Sequence, residues 1–424
     1  MVISHRPSHL LHAAGRCSAA LAMLCAWHAP SFGQTGPALD FERALRVAQQ
    51  NSPLLQARAA TTQGAAALQT SAALLPDPKL SLGIADFPVS GPSRGSLTRD
   101  NFTMRQIGFM QDVPNRAKRA ARADMALART DKERAMERID ALAVRRETGL
   151  AWLARLYAEK RLALIDTLLS EQNRLVETAP AQYAAGKSNA SAVPMVRLDA
   201  LALADRRDEL QREVEQARVQ LQRWVGAAAN ASLAGDMPER QVDGAHLHAN
   251  LERSPEIAAF TPAQALAQAE IQEADAAKVG DWGWGVNYGR RGQGYGDLVS
   301  VQFTFELPLA PNERQQPLVQ AKQKELERLS GERSDQVRKH QQELDTLLAE
   351  NDEANRKLTR LTQEAQPLAT QRSALTLAAY ESGRDTLSAV LEARKQQTEL
   401  RLRALELQAK RAAVQWRLNT LISE

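Results

Sequence analysis

The sequence predicts a mainly α-helical chain that also carries four β-strands and is built from two similar halves. Its 424 residues are 25% charged and only 4% aromatic, a composition typical of long helices and coiled coils. Short motifs recur in the same order in both halves. Two segments of each half alternate apolar with small or polar residues, which is the period of a strand. Together these observations predict an internal two-fold structural repeat.

The repeat is clearest at two turn sequences. Tyr183-Ala-Ala-Gly186 returns as Tyr380-Glu-Ser-Gly383. Other markers keep the same order: Pro114-Asn115 returns as Pro311-Asn312, Gln106-x-x-Phe109 as Gln302-x-x-Phe305, and Ser52-Pro53 as Ser254-Pro255. A period this long indicates a duplicated half rather than a short solenoid unit. We expect a first repeat over 34–225, a connecting equatorial segment over 226–254 and a second repeat over 255–424.

The first 33 residues have the pattern of an export signal peptide. Arg6 and Arg16 precede or flank an apolar core over 17–26, and small residues at 31–33 suit a cleavage site. Both cysteines, Cys17 and Cys25, fall in this segment, so the mature chain would have no disulfide. Acylation of Cys25 is an alternative fate. The formal charge of +4 includes both arginines, and the remaining charge is too weak to predict nucleic acid as a partner.

Each half is expected to run helix, hairpin, long helix, turn and helix. In the first half we expect helices over 38–75, 115–178 and 188–225. In the second half we expect them at about 262–279, 313–373 and 385–421. A helix of about 60 residues extends about 90 Å, and such a rod needs neighbours along its length to bury its apolar seam.

The strands form one hairpin in each half, at about 78–113 and about 282–308. The aromatic residues of the second hairpin share one predicted outer face, and they are Trp282, Trp284, Tyr288, Phe303 and Phe305. Strands of about 9–11 residues with an apolar outer face are typical of a transmembrane barrel. Four strands cannot close a barrel, and open edges in lipid leave backbone groups unpaired. Several chains must therefore share one barrel, unless the hairpins are soluble ends of a coiled coil.

These pieces together resemble the TolC-type outer-membrane efflux proteins, also called outer membrane factors. The resemblance covers essentially the whole mature chain. It rests on the two Tyr-x-x-Gly turns and on three motifs: Ala44-Leu45-x-x-Ala48-x-x-Asn51-x-Pro53, Leu75-Pro76-Asp77-Pro78, and the stretch 106–114. It implies a homotrimer with a shared 12-stranded β-barrel in outer-membrane lipid, continued by a long α-helical barrel in the periplasm. A periplasmic adaptor protein and an inner-membrane RND-type pump are the implied partners.

The resemblance also implies which residues act. The turns at about 180–190 and 378–388 would be the periplasmic tips that contact the adaptor, through Gly186, Lys187, Gly383 and Arg384. The alternative is that these glycines only form turns where a positive φ is needed.

A gate is implied by the same resemblance. Counting from Tyr380, Glu392 falls where the family has a constriction acid, and Ala389 falls where a second acid is common. Glu392 and Tyr380 are therefore the gate candidates. A solvated helix face with Arg394 and Glu399 is the alternative interpretation of Glu392.

Signals for catalysis or metal binding are weak. Gly186-Lys187-Ser188 is not a phosphate-binding loop, because Ala181 occupies the first glycine position and no strand precedes it. His246 and His248 could chelate a metal only with help from an acid, and a surface pair without a role is the favoured interpretation. We therefore predict no enzyme, no cofactor and no resident metal.

The predicted function is a passive outer-membrane exit channel of a tripartite efflux system. The stretch 106–119 and the Phe87-Pro88 hairpin resemble the heavy-metal-efflux, CzcC-like branch, so heavy-metal cations are the expected cargo. A multidrug efflux channel and a type I protein secretion channel remain alternatives. A soluble periplasmic coiled-coil scaffold is the alternative from another class.

Overall fold

The computed structural model describes residues 38–186, 189–238, 241–292 and 294–422. Most of these residues are helical, and four antiparallel strands form one sheet, which confirms the predicted mixture. The predicted signal segment, with Cys17 and Cys25, lies outside the described residues. In the part of the chain that is described, no helix has both the length and the apolarity needed to cross a membrane.

The first half contains four helices and a hairpin. Its elements are α1 (Phe41–Asn51), α2 (Pro53–Gln69), β1 (Lys79–Ala85), β2 (Met104–Val113), α3 (Arg116–Ala184) and α4 (Ala192–Val225).

The connection between the halves contains short 3-10 helices at Gly226–Asn230 and Leu251–Arg253, with α5 (Gly244–Ala249) between them. The elements of the second half are α6 (Pro255–Ala258), α7 (Phe260–Ala276), β3 (Trp282–Arg290), β4 (Leu298–Phe305), α8 (Gln315–Arg360), α9 (Gln366–Glu381) and α10 (Leu387–Asn419).

The expected single helix over 38–75 is wrong, because it is two helices and ends earlier. Asp40 caps α1 by accepting a hydrogen bond from the Arg43 backbone N–H at 2.7 Å. Ser52 then caps α2 by accepting from the Leu55 N–H, and Pro53 occupies the first helical position. A serine cap followed by proline starts a new helix, since proline has no N–H to donate to the preceding turn.

The long helices also differ in detail from the expectation. α3 has 69 residues, so it extends about 100 Å. The segment expected as one helix over 313–373 is interrupted by a π-helical turn at Leu361–Ala365. Pro367 follows in the first turn of α9. A proline removes a backbone donor and crowds the preceding turn, and the π-helical turn lies directly before it.

The sheet has the order β1-β2-β3-β4, so β1 and β4 are its two edges. Its strands have 7 to 10 residues, and three of them are shorter than or at the lower limit of the 9–11 expected. The register places Trp282 opposite Phe305, and Trp284 opposite both Gln111 and Phe303. The two hairpins therefore join into a single sheet through the pairing of β2 with β3.

The opposite face of the sheet carries small and polar side chains. Gly108 shows why small residues are needed there. A Cβ atom at this position would lie 1.9 Å from Asn287 Oδ1 and 2.5 Å from Ser81 Oγ, which come from the two neighbouring strands. Glycine thus allows both polar side chains to lie across β2.

An aromatic core ties the two halves together near the middle of α3. The ring of Phe41 makes edge contacts with Trp152 at 5.2 Å and with Trp416 at 4.8 Å between centroids. Both indoles are satisfied, because Trp152 Nε1 donates to the Leu39 carbonyl at 3.1 Å and Trp416 Nε1 to the Arg146 carbonyl at 2.9 Å. Phe41 is thereby fixed between α3 and the end of α10.

A partly buried ion pair joins α6 to α8. His340 of α8 is 2% exposed, and its Nε2 lies 2.7 Å from a carboxylate oxygen of Glu256 on α6. Gln336 Nε2 lies 3.0 Å from the other ring nitrogen. The hydrogen bond from His340 lowers the pKa of Glu256; burial opposes it, and the charges of His340, Arg146 and Lys339 lower the pKa further.

We expect Glu256→Gln to destabilise the protein in a pH-dependent way. At neutral pH the loss should be about 1 kcal/mol, because a charge-assisted hydrogen bond is removed. Since the folded-state pKa is depressed, this stabilisation is present above the ordinary value of 4.5 and is lost as the pH falls through the lower folded pKa. Thermal unfolding of wild type and variant at about pH 7 and about pH 3 should show a difference that shrinks with acid.

Glu252→Gln is the matched control, because the Glu252 carboxylate is 70% exposed and its ion pair with Arg333 spans 3.3 Å. Exposed pairs of this kind contribute little. An unfolding difference for Glu256→Gln that is equally large at both pH values would contradict the assignment.

Candidate functional site

The turns that end the two helical hairpins have the same geometry. The first tip is the turn between α3 and α4, and the second tip is the turn between α9 and α10. Gly186 has a φ of 69° and Gly383 a φ of 70°. Each glycine N–H donates at 2.9 Å to the carbonyl of the tyrosine three residues earlier, Tyr183 or Tyr380. Glycine is required because a side chain strains the backbone at this φ.

The charged residues that follow these glycines differ in what can be described. Lys187 lies outside the described residues. Arg384 is exposed, its backbone N–H donates to the Ala379 carbonyl at 2.8 Å, and its Nε donates to Ser382 Oγ at 3.0 Å. The guanidinium therefore helps to hold the second tip and still presents a positive charge to solvent.

The two hairpins contact each other just behind their tips. Ala179 of α3, Val196 of α4 and Leu391 of α10 form a buried apolar cluster. Beside it, the hydroxyl of Tyr380 donates to Gln182 Oε1 on α3 at 3.3 Å. Tyr380 is partly buried, whereas Tyr183 is 50% exposed. Of the two repeated tyrosines, Tyr380 is thus the one that joins the hairpins.

Glu392 lies on the exposed surface of α10, next to this junction. Its charge and that of Lys395 act on Asp199 of α4. Burial raises the pKa of the Asp199 carboxyl; Lys395 opposes this increase, and Glu392 adds to it. The charges of Glu392 and Lys395 on α10 therefore act on the Asp199 carboxyl of α4, across the two helical hairpins.

Sequence reasoning missed Asp199 and Gln182. Both belong to the first half, while the gate candidates belong to the second, and the two halves meet only through tertiary packing. Asp199 is one of many carboxylates on helices that also carry arginine. Its partial burial is the signal that distinguishes it, and burial between two hairpins is not visible in a single sequence.

The sheet presents a continuous apolar face, which we call the outer face. Its exposed members come from all four strands and include Leu80, Leu82, Ile84, Ile107, Phe109, Trp282, Tyr288, Val299, Val301, Phe303 and Phe305. The five predicted aromatic residues all lie on this face, and Trp284 is the partly buried one. Exposed apolar patches of this extent mark contact with a membrane or another protein.

The two candidate metal ligands do not converge. His248 Nε2 lies 3.2 Å from a carboxylate oxygen of Asp345 on α8, whereas the His246 ring lies 3.4 Å from the amide of Asn250. Within the described ranges, no three His, Cys, Asp or Glu side chains are grouped so that they could hold a metal ion.

Solved structures share the fold of this chain at low sequence identity. No family model matches the chain, and no curated protein matches it. Solved structures do match over almost the whole length. A membrane protein from Pseudomonas aeruginosa is 18% identical with a TM-score of 0.77, and 90% of this chain covers 92% of that one.

Two channel structures are similar to the same extent. The CmeC outer membrane channel of Campylobacter jejuni is 11% identical with a TM-score of 0.75, over 90% of this chain and 85% of that one. CusC, whose structures concern transmembrane channel formation, is 16% identical with a TM-score of 0.74, over 91% and 92%. The chain therefore shares the fold of outer-membrane channels, as the resemblance of its motifs implies.

Proposed function

We propose that this protein is the outer-membrane exit channel of a tripartite efflux system. The observation that carries the proposal is the sheet, which combines an exposed apolar outer face with two open edges at the end of a helical region in which α3 extends about 100 Å. An apolar band on a sheet suits lipid, and its open edges require partner strands there. The similar channel structures support the same conclusion.

A homotrimer supplies those partner strands. The β4 edge of one protomer pairs with the β1 edge of the next, so three sheets of four strands close a 12-stranded barrel. The inner face then carries residues such as Ser81, Gly108, Asn287 and Gln302, which are small or polar and suit a water-filled lumen. The helices continue the duct into the periplasm, where the tips meet a periplasmic adaptor protein and, through it, an RND-type pump.

The transport step is passive and needs no catalysis by this chain. The pump supplies the energy, and the channel supplies a path across the outer membrane. Heavy-metal cations are the proposed cargo, and the stretch 106–119 supports this choice through its resemblance to the CzcC-like branch. A deletion strain tested against cobalt, zinc, cadmium, copper and silver salts beside lipophilic drugs distinguishes the cargo classes. Sensitivity confined to drugs would reject the metal assignment.

The gate is proposed to lie at the junction of the two hairpins. The Tyr380 hydroxyl and the side chain of Leu391 hold the second hairpin against the first. Outward movement of α9 and α10 must break the hydrogen bond to Gln182. In this proposal Glu392 narrows the periplasmic opening of the channel from its exposed position on α10. The π-helical turn at Leu361–Ala365 is the point at which α9 bends relative to α8.

Tyr380→Phe is expected to raise the open fraction of the channel. The substitution keeps the ring and removes one hydrogen bond, which contributes about 1 kcal/mol, so the opening equilibrium should shift by about fivefold. Single-channel recordings of purified trimers in planar bilayers measure the open probability directly. Glu392→Ala should act in the same direction, because it removes the side chain that narrows the opening.

The sequence provides matched controls for both variants. Tyr183→Phe alters the corresponding tyrosine of the first tip, which is half exposed. Glu399→Ala removes an exposed carboxylate two turns further along α10. Both should conduct as wild type does. If the Tyr380 and Glu392 variants are indistinguishable from these controls, the gate does not lie at this junction.

A further inference from the structure

Two arginines face each other on the outer face of the sheet. Arg105 of β2 is the register partner of Arg290 of β3, and both side chains are exposed. They occupy the end of the sheet that is furthest from the helices, because β2 begins at Met104 and β3 ends at Arg290. Directly opposite residues in antiparallel strands have Cβ atoms about 5 Å apart, so the two guanidinium groups can reach the same ligand.

Neither guanidinium has a carboxylate in direct contact within the described part of the chain. Among the residues that the structure describes, no carboxylate forms an ion pair with Arg105 or Arg290, and neither side chain makes a hydrogen bond. The nearby acid Asp297 instead accepts a hydrogen bond from the Tyr288 hydroxyl. Like charges directly opposite each other destabilise a sheet. A bound anion would therefore relieve the repulsion between Arg105 and Arg290.

The neighbouring arginine behaves differently. Arg291 Nε donates to the Gly296 carbonyl at 2.7 Å, and its guanidinium lies 5.7 Å from the centre of the Tyr295 ring. Arg291 is thus used within the loop that joins β3 and β4. Arg105 and Arg290 have no comparable structural role.

On the outer face, the next two pairs of opposite residues towards the helices are apolar or aromatic. The next row on the outer face contains Ile107 opposite Tyr288, and the one after it Phe109 opposite Val286. This inference rests on the proposed function, in which the outer face meets lipid. The pair then lies at the outer boundary of the apolar band, where an arginine costs little and where lipid headgroups begin.

We propose that Arg105 and Arg290 form a binding site for the phosphate group of a lipid headgroup in the outer leaflet. Guanidinium groups present paired N–H donors that match the oxygens of a phosphate. One phosphate between them neutralises both charges and removes their repulsion. The acyl chains of the same lipid extend along the apolar rows of Ile107 and Phe109, so polar and apolar contacts come from one molecule.

The test compares lipid binding to the full-length trimer with and without the pair. The double variant Arg105→Gln, Arg290→Gln keeps side-chain length and removes both charges. Native mass spectrometry in detergent measures binding of a synthetic disaccharide lipid that carries two phosphate monoesters, beside its dephosphorylated analogue. We expect the double variant to bind the phosphorylated lipid at least about tenfold more weakly than wild type does. The double variant and wild type should bind the dephosphorylated lipid with the same low affinity.

The control is Arg94→Gln, Arg99→Gln, which removes two exposed charges from the loop between β1 and β2. It should retain lipid binding. Unchanged binding in the Arg105, Arg290 variant would overturn the proposal, as would displacement of the lipid by millimolar inorganic phosphate, which would identify a free-anion site. Conductance of the same samples separates the lipid-site proposal from the proposed function. If the trimers conduct but do not bind the phosphorylated lipid selectively, only the lipid site is rejected. If no channel forms, the proposed function is rejected.

Discussion

Val301→Arg is expected to prevent the protein from inserting into the outer membrane. Val301 lies in the middle of β4 on the outer face, opposite Val286, and its side chain is 61% exposed. An arginine at the centre of the lipid-facing band costs about 2–4 kcal/mol per chain, and a homotrimer contains it three times. The variant should remain in the soluble periplasmic fraction or be degraded, whereas wild type is recovered with the outer membrane.

The neighbouring residue provides the control. Gln302 lies on the inner face of the same strand, opposite Gly285, and successive residues of a strand point to opposite faces. Gln302→Arg adds the same side chain one position away, and it should insert normally and change only conductance and ion selectivity. Equal insertion of both variants would contradict the assignment of the outer face to lipid and would favour a soluble scaffold.

The arrangement of strands could be predicted from the sequence because it depends on alternation. Trp282, Trp284 and Tyr288 are separated by small or polar residues, so their common face follows from the period of two. The pairing of β2 with β3 does not follow in this way. It joins residues about 180 positions apart in the chain, and only the folded chain brings the two hairpins side by side.

The candidate site was predicted less completely than the fold. Gly186 and Gly383 could be found because a repeated Tyr-x-x-Gly motif carries its own local hydrogen bond. Gln182 and Asp199 could not, because their importance depends on which helix faces them.

The end of α1 at Ser52 and Pro53 was missed although the sequence contains the signal for it, a serine cap followed by proline. Composition favours helix over the whole stretch, but the cap and the proline decide where one helix ends.

Trp416→Ala is expected to cause the largest loss of stability in the helical region. The indole is 2% exposed, contacts Phe41 and donates to the Arg146 carbonyl. It also packs so closely on Gly149 that a Cβ there would lie 2.2 Å from Trp416 Nε1. Truncation of a buried tryptophan costs about 3–5 kcal/mol. The midpoint of thermal unfolding, followed by helical circular dichroism of detergent-solubilised trimers, should fall accordingly.

Two further variants separate the causes of this loss. Trp224→Ala truncates a partly buried indole at the margin of the same core, where the Arg223 guanidinium lies 4.8 Å from the ring centre, and it should lower the midpoint much less. Trp416→Phe retains an aromatic ring beside Phe41 and loses mainly the hydrogen bond, so it should fall between the two. If Trp416→Ala is no more harmful than Trp224→Ala, the aromatic core does not hold the end of α10 against α1 and α3. If the expected order is found, Trp416 of α10 secures the contact between the two halves near the middle of α3.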